Sequence, residues 1–456
     1  MKLSTKFTIQ NIRKSSRIPE ENGRFYKNNH IFRYAAMDSI PFSLRQLIFF
    51  GKMLESDEIE SEVEHQKRLV RGANFIRVQL PIRIARRIRD FQSLPYIVAS
   101  NPHLTDALQL YVDAFDKMRS YPPITDQQDN QSWCEFLEDL LNQHRIVIPQ
   151  LAIGIAESSN HLTSHQIDTF MTRMLQSRIS RRVLAQHHIA LTNQFQSNQS
   201  SNSNSSSSSN QKLKGYIGIV NTELKVLNVI EKCITLVQAK LGLSCLSGTD
   251  TSMLDVRITG EKDASFAYIP DQLEYIMFEL LLNSFRATLK QARKKSITPS
   301  NLPIQIHIVT SPTEISIRIS DQAGGIKPSI SPLPNWISDE SDDFPPSINR
   351  RELFSFSHLV EGDKNQDRLK GLIKTGGLAG TVGEQIRDWK EGDLEVLEDE
   401  EKDVQDARLR IGLPLSSIFA EFFGGSLHMY SIEGSSDAVL CIPKLGTTTE
   451  PNMKQI

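Results

Sequence analysis

The chain has 456 residues, a formal net charge of −2 and 39% hydrophobic residues. That length exceeds what one hydrophobic core usually serves, so two domains are expected, each large enough to bury its own interior. A near-neutral charge gives no reason to propose nucleic acid as the main partner, and no apolar run is long enough to span a bilayer. The four cysteines, Cys134, Cys233, Cys245 and Cys441, show no metal-ligand spacing and lie in apolar patterns, which predicts buried reduced thiols in a soluble intracellular enzyme.

Residues Met1 to Pro19 carry Lys2, Lys6, Arg13, Lys14 and Arg17 with no acidic residue and several Ser and Thr. This is the composition of a mitochondrial transit peptide, here placed over residues 1–30; a basic tail would share it. From Phe42 to Thr192 the apolar periodicity is helical, as in Leu44, Leu47 and Ile48 and again in Ile179, Val183 and Leu184. A four-helix bundle with lead-in helices over 31–195 is expected. The tract Ser197 to Asn210 is almost entirely Ser and Asn, which cannot bury a core, so 196–214 is read as a flexible insert at the domain boundary. Glu223 to Lys240 then reads as a helix with Val226, Leu227, Ile230, Cys233, Ile234 and Val237 inward.

The segment Glu279 to Ala287 is strongly apolar yet carries Glu279 and Asn283 four residues apart, hence on one helical face. An oxygen that can take a proton then sits beside an amide oxygen that can ligate a hard cation, which suits phosphoryl transfer. An ordinary hydrogen-bonded surface pair has the same spacing. Residues Pro303 to Ser311 and Glu314 to Ser320 alternate apolar and polar around Pro312-Thr313, which predicts a hairpin. The second strand runs into Asp321-Gln322-Ala323-Gly324-Gly325, whose glycines allow close ligand approach and whose carboxylate can accept a hydrogen bond from an adenine amino group. A long connection over 327–409 follows, with a Gly-rich piece near Lys374 to Gly383 and an acidic run from Glu391 to Asp403 read as a solvated insertion. Ile411-Gly412-Leu413-Pro414-Leu415 then opens a helix ended by Gly424-Gly425, and its first backbone N–H groups form a ready anion site. Ser426 to Ser431 and Asp437 to Pro443 read as strands joined by Glu433-Gly434-Ser435-Ser436.

The order of these pieces, a helix with Glu and Asn, a strand with Asp-x-x-Gly-Gly, Gly-Leu-Pro with a helix, then strands, resembles the Bergerat ATP-binding fold. The resemblance narrows to the mitochondrial pyruvate and branched-chain ketoacid dehydrogenase kinases through Leu413-Pro414-Leu415-Ser416, Phe423 to Leu427 and Ser431 to Gly434. It extends through the N-terminal half by Leu80 to Ala85, Pro122-Pro123-Ile124 with Asp126-Gln127, and Ser177-Arg178-Ile179 through His187-His188-Ile189-Ala190-Leu191. The Pro-Pro-Ile-x-Asp-Gln and Gly-Gly-Ser-Leu segments lean toward the branched-chain branch.

What the resemblance implies is an α+β two-domain chain. An N-terminal four-helix bundle would precede a C-terminal α/β sandwich over 215–446, a mixed sheet with helices on one face, with 447–456 as a tail. The activity would be transfer of the ATP γ-phosphoryl group to a serine of the α-subunit of a 2-ketoacid dehydrogenase decarboxylase, inhibiting it, in the mitochondrial matrix. Glu279 would be the base, Asn283 the Mg²⁺ ligand, and Arg286 a neighbour of the phosphates. Asp321, Gly325 and Ser436 would hold adenine, and Gly412 and Leu413 would donate to phosphate. The implied cofactors are ATP and Mg²⁺, with K⁺ allowed. The implied partners are the decarboxylase, the lipoyl domain of the acyltransferase core and a second copy of the chain. The chain departs from the family at Ala323, Arg410, Leu282, Tyr275 and Ser435-Ser436, where Gly, Gly, Lys, His and Gly-Thr are usual. Two other readings carry expectations of their own: a histidine kinase would need an accessible acceptor, for which His187-His188 is the candidate, and a silent scaffold would bind ATP without transferring phosphate.

Overall fold

Asn101 and Asp126 show why the first domain breaks into helices where it does. The Asn101 side chain accepts hydrogen bonds from the N–H groups of His103 and Leu104 ahead of Pro102, and Asp126 accepts from the N–H of Asp129. Both satisfy donors that a helix start leaves open. The computed structural model describes residues 20–55, 62–201, 215–241, 254–325, 353–356, 411–432 and 434–445. In the N-terminal part these form α1 (Glu20–Ala36), α2 (Leu44–Glu55), α3 (Glu62–Gln92), the single turn α4 (Tyr96–Ala99), α5 (Pro102–Ser120), α6 (Gln127–Gln143), α7 (Val147–Ser158) and α8 (Ser164–Ser201). Helix α3, helix α5, α6 continued by α7 through a 3₁₀ turn, and α8 make the four-helix bundle, with α1 and α2 leading in. Trp133, Tyr111, Phe115, Leu80 and Ile84 are fully buried at its centre. Such side chains contribute roughly 1.5–3 kcal/mol each when removed from water.

The C-terminal part contains β1 (Tyr216–Ile217), β2 (Val220–Lys225), α9 (Val226–Lys240), β3 (Val256–Gly260), β4 (Ser265–Tyr268), α10 (Pro270–Lys295), β5 (Ile304–Thr310), β6 (Glu314–Gly324), α11 (Gly412–Phe422), β7 (Ser426–Ile432) and β8 (Gly434–Pro443). Strands β3, β5, β6, β8 and β7 form a mixed sheet in that order, with β3 and β5 parallel and the remaining pairs antiparallel. Helices α10 and α11 cover one face and α9 packs on α10. The expected β5–β6 hairpin is present, with Ile306 opposite Ile319 and Ile308 opposite Ile317, all buried.

Three expectations are corrected. Glu223 to Lys225 are strand rather than helix: Leu224 alternates inward, and β2 pairs with β1 and β4 in a small antiparallel sheet before α9 starts at Val226. The Ser/Asn tract does not begin the insert at 196, because α8 runs on to Ser201 and Ser197 Oγ donates to the Asn193 carbonyl one turn back. Extending a formed helix is far cheaper than starting one, which carries poor helix formers for a few residues. The last connection is tighter than read, since Ser435 and Ser436 already pair with Ile432 and Ser431. Residues up to Pro19, 202–214, Cys245, the acidic and Gly-rich pieces of the long connection, Arg410 and 446–456 lie outside the described residues. Cys134 and Cys233 are buried as expected and Cys441 is half-buried.

The two halves meet through aromatic and helical contacts. Phe42 lies against Phe422 and Phe423 at ring separations of 6.2 and 6.3 Å, and α8 packs on α11.

Candidate nucleotide site

Helix α10 is the spine of the site. It starts on Pro270 at its first turn, ends in the left-handed Ser296, and carries Arg293, Lys294 and Lys295 in its last turn, where cations favour the helix dipole. Its apolar residues are buried almost all round, including Ile276, Met277, Phe278, Leu280 and Leu281, because sheet, α9 and α11 enclose it. Glu279 is buried with them at 9% exposure, while Asn283 and Arg286 are half-buried farther along the helix.

Glu279 meets the start of α11. A Cβ at Gly412 would collide with Glu279 Oε2 and lie 3.0 Å from its Cδ. Gly412 is therefore a close-approach glycine: the helix N-terminus sits on the carboxylate only because no side chain intervenes. Helix α11 begins at Gly412 with no side-chain cap, and its first bond runs from Leu415 N–H to the Ile411 carbonyl. The N–H groups of Gly412 and Leu413 thus belong to the turn that an anion would occupy. Tyr275, one turn before Glu279, stacks obliquely on Phe419 at 5.0 Å. Together with the Glu279–Gly412 contact this sets α10 and α11 antiparallel.

The other end of the site is built on β6. Asp321 continues the inward row Ile315, Ile317, Ile319, so the period of two aims its carboxylate at α10. There Ser284 Oγ donates to Asp321 Oδ2 at 3.2 Å, and the Ala323 N–H donates to Oδ1 at 3.1 Å. Burial raises the Asp321 pKa, the two hydrogen bonds oppose the rise, and Asp437 adds to it. Ser436 lies directly opposite Asp321 in the β6–β8 ladder. Between Asp321 and Gly324 the register slips by one residue, a bulge that turns the chain out of the sheet. The positive φ angles fall on Gly324 (98°) and Gly325 (76°), and Ala323 is not among the positive-φ residues, so alanine costs the turn nothing.

The structure therefore brings Glu279 to Gly412 and Asp321 to Ser284 and Ser436, with Asn283 between Glu279 and Ser284 on α10 and Arg286 just beyond Ser284. Ser284 was not singled out from sequence; only the pairing of α10 with β6 reveals it. Leu282, where the resembled family has Lys, is fully buried and belongs to the core rather than the site. Among the described residues no cluster of three or more His, Cys, Asp or Glu could hold a metal. Asn283 would hold Mg²⁺ through its amide oxygen, a hard donor suited to that ion. The space beside Gly412 is taken by the Glu279 carboxylate, and the uncapped N–H groups at the start of α11 are the donors that would meet phosphate oxygens. Bound MgATP would supply the transferable phosphoryl group, and the Glu279 carboxylate lies against the start of α11 at Gly412. A separate cavity of about 330 Å³ lies between the domains behind α11, lined by Ile179, Arg182, Tyr216, Asp271, Leu415 and Phe419.

His187 and His188 are 4% and 2% exposed, and His188 Nε2 lies 2.8 Å from Asn130 Oδ1. A phosphoacceptor must reach solvent, and these rings do not.

A helical bundle followed by a mixed five-stranded sheet covered on one face by α10 and α11 defines the class as a two-domain α+β protein. Residues 41–221 match the family model described as mitochondrial branched-chain alpha-ketoacid dehydrogenase kinase. The mitochondrial pyruvate dehydrogenase (acetyl-transferring) kinase of Arabidopsis thaliana is 25% identical over 92% of this chain and 95% of its own length. Kinase 2 of that name from Saccharomyces cerevisiae is 23% identical over 94% and 87%, and human isozyme 1 is 23% identical over 91% and 79%. A nucleotide-free catalytic domain of the histidine kinase ThkA matches at 12% identity and a TM-score of 0.27, covering 49% of this chain and 95% of that one. The resemblance to the mitochondrial dehydrogenase kinases is thus borne out, and it extends over nearly the whole chain.

Proposed function

We propose that this chain transfers the γ-phosphoryl group of MgATP to a serine of the α-subunit of a 2-ketoacid dehydrogenase decarboxylase and thereby inhibits the complex. The observation that carries this reading is the contact of Glu279 with Gly412, which sets a carboxylate beside the open N-terminus of α11. Glu279 acts as the base. Asn283 ligates Mg²⁺, and Arg286 faces the phosphates. Gly412 and Leu413 donate to phosphate oxygens, while Asp321 reads adenine with support from Ser436 and room left by Gly325. Placement and electrostatics supply most of the rate gain in such transfers.

The domain division follows the same reading: a regulatory bundle over 31–195, an insert ending at 214, a catalytic domain over 215–446 with its lid over 327–409, and terminal segments over 1–30 and 447–456. The bundle binds the lipoyl domain of the acyltransferase core, the chain pairs with a second copy, and K⁺ is admitted as an additional ion. The relatives' names support a mitochondrial setting, and the matrix is where such a complex would be met. The family model is named for the branched-chain kinase and the relatives described above for pyruvate dehydrogenase. The deciding experiment offers labelled ATP to both purified decarboxylase components, with Glu279→Gln as control. Transfer to one or both, reduced about 10²–10⁴-fold by the substitution, is expected. ATP binding with no transfer to either, unaffected by Glu279→Gln, would make the chain a scaffold instead.

A further inference from the structure

Within the connection between Gly325 and Ile411, the described residues are Leu353 to Phe356. They touch the other domain. Ser355 Oγ lies 2.9 Å from each carboxylate oxygen of Asp168, and the Phe356 N–H donates to Asp168 Oδ1 at 2.7 Å. Ser355 is 5% and Phe356 2% exposed, with the Phe356 ring part of the hydrophobic core and Phe354 packed against it. A half-buried carboxylate that accepts a hydroxyl and a backbone N–H makes charge-assisted bonds, about twice as strong as neutral ones. Partners 187 and 188 residues apart in sequence are held by it.

Asp168 sits in the second turn of α8. Farther along that helix, Leu175, Ile179 and Val183 line the interdomain cavity together with Leu415 and Phe419 of α11. One helix therefore grips the connection at one end and packs on α11 farther along. The two grips lie on opposite sides, in sequence, of the same stretch of connection. Any shift of α8 against the catalytic domain acts on both.

Resting on the ATP-site reading above, we propose that Asp168 is a positioning residue that latches the Leu353–Phe356 segment to the helical domain, so that the state of that domain sets ATP affinity. Asp168 touches no reacting atom. Its effect runs through Ser355 and Phe356, so it should appear in the KM for ATP and not in kcat. The carboxylate, rather than the bulk of the side chain, is the functional part. Asp168→Asn keeps one acceptor oxygen and Ser355→Ala keeps the Phe356 bond, so each should give a partial effect.

The test compares the full chain with Asp168→Ala, Asp168→Asn and Ser355→Ala by amide exchange at Leu353–Phe356 and by kinetics of transfer to the decarboxylase. Asp168→Ala should speed exchange at the Phe356 amide about tenfold or more. It should also raise the KM for ATP about fivefold or more at unchanged kcat. The two milder variants should fall between it and the wild type, and they carry the test if Asp168→Ala does not fold. Unchanged exchange, or faster exchange with an unchanged KM, overturns the latch. A wild-type chain that transfers no phosphate sinks the kinase reading instead, and the exchange measurement, which needs no ATP, still decides whether Asp168 holds the segment.

Discussion

Gly412 lies so close to Glu279 that the smallest side chain would strike the carboxylate, leaving a Cβ 3.0 Å from Glu279 Cδ and nearer still to Oε2. Two elements far apart in sequence are thereby fixed at contact distance, and the contact is where the proposed base and the proposed phosphate donors meet. The relation ties backbone geometry directly to chemistry, because either partner must move to admit any residue other than glycine.

Gly412→Ala should therefore retain the fold while displacing the base or the helix start. Overpacking of this kind costs about 1–3 kcal/mol of stability. Misplacement by a fraction of an ångström to one ångström in a catalytic pair costs about 10²-fold in rate. Chemical denaturation and kcat with the decarboxylase would check both. A variant with wild-type kcat would show that the Glu279–Gly412 contact is not used.

The carboxyl of Asp321 is held above its ordinary value of 3.8 by burial, with Ser284 and the Ala323 N–H pulling it back. In the proposed role the ionised form is the stronger acceptor for the adenine amino group, so ATP affinity should fall as the pH drops through this raised value, at higher pH than for an exposed aspartate. Ser284→Ala removes one of the two stabilising bonds and should move the midpoint upward again. Nucleotide binding measured from neutral pH downward, for both chains, tests this. Coincident midpoints would separate Ser284 from the adenine end.

Much of this site could be read before any coordinates, and the reason is periodicity. Ile315, Ile317 and Ile319 alternate cleanly, which carries Asp321 onto the covered face by parity alone. Glu279 and Asn283 are likewise placed by helical spacing. What was illegible is contact between distant elements. Ser284 looks like any helix serine until β6 lies beside it. Asp168 and Ser355 are 187 residues apart, with no local signal in either. The β2 strand was hidden because Val220 to Lys225 runs into α9 without a break residue, so helical spacing after Val226 absorbed it.

Three buried histidines predict how the helical domain fails in acid. Burial lowers the pKa of His187 and His188 to about 4 each and that of His144 to about 3, against 6.5 for a free ring. The rings are neutral when folded, and unfolding lets them take up protons. Their contribution is complete above pH 6.5 and is lost as pH falls toward 4. Such shifts are worth at most roughly 3.5 kcal/mol each for His187 and His188 and roughly 5 kcal/mol for His144. Urea midpoints should decline across that window, and His188→Gln should flatten the decline. A flat profile from pH 6.5 to 4 would show that the rings are not excluded from water.

Leu282 offers a sharper contrast between resemblance and packing. The resembled kinases carry Lys there, and restoring it would look like a repair. In this chain Leu282 is fully exposed to the core and not at all to solvent, so Leu282→Lys would place an ammonium group among apolar side chains of α10. Burying an unpaired charge is among the few single changes that cost several kcal/mol, and about 3 kcal/mol or more is expected here. Activity should fall with the folded fraction rather than rise. Leu282→Met, which keeps volume and polarity, should cost under about 1.5 kcal/mol and leave kcat unchanged. If the lysine variant instead stays folded and transfers phosphate faster, Leu282 faces the nucleotide, and the core assignment of this turn of α10 must be redrawn.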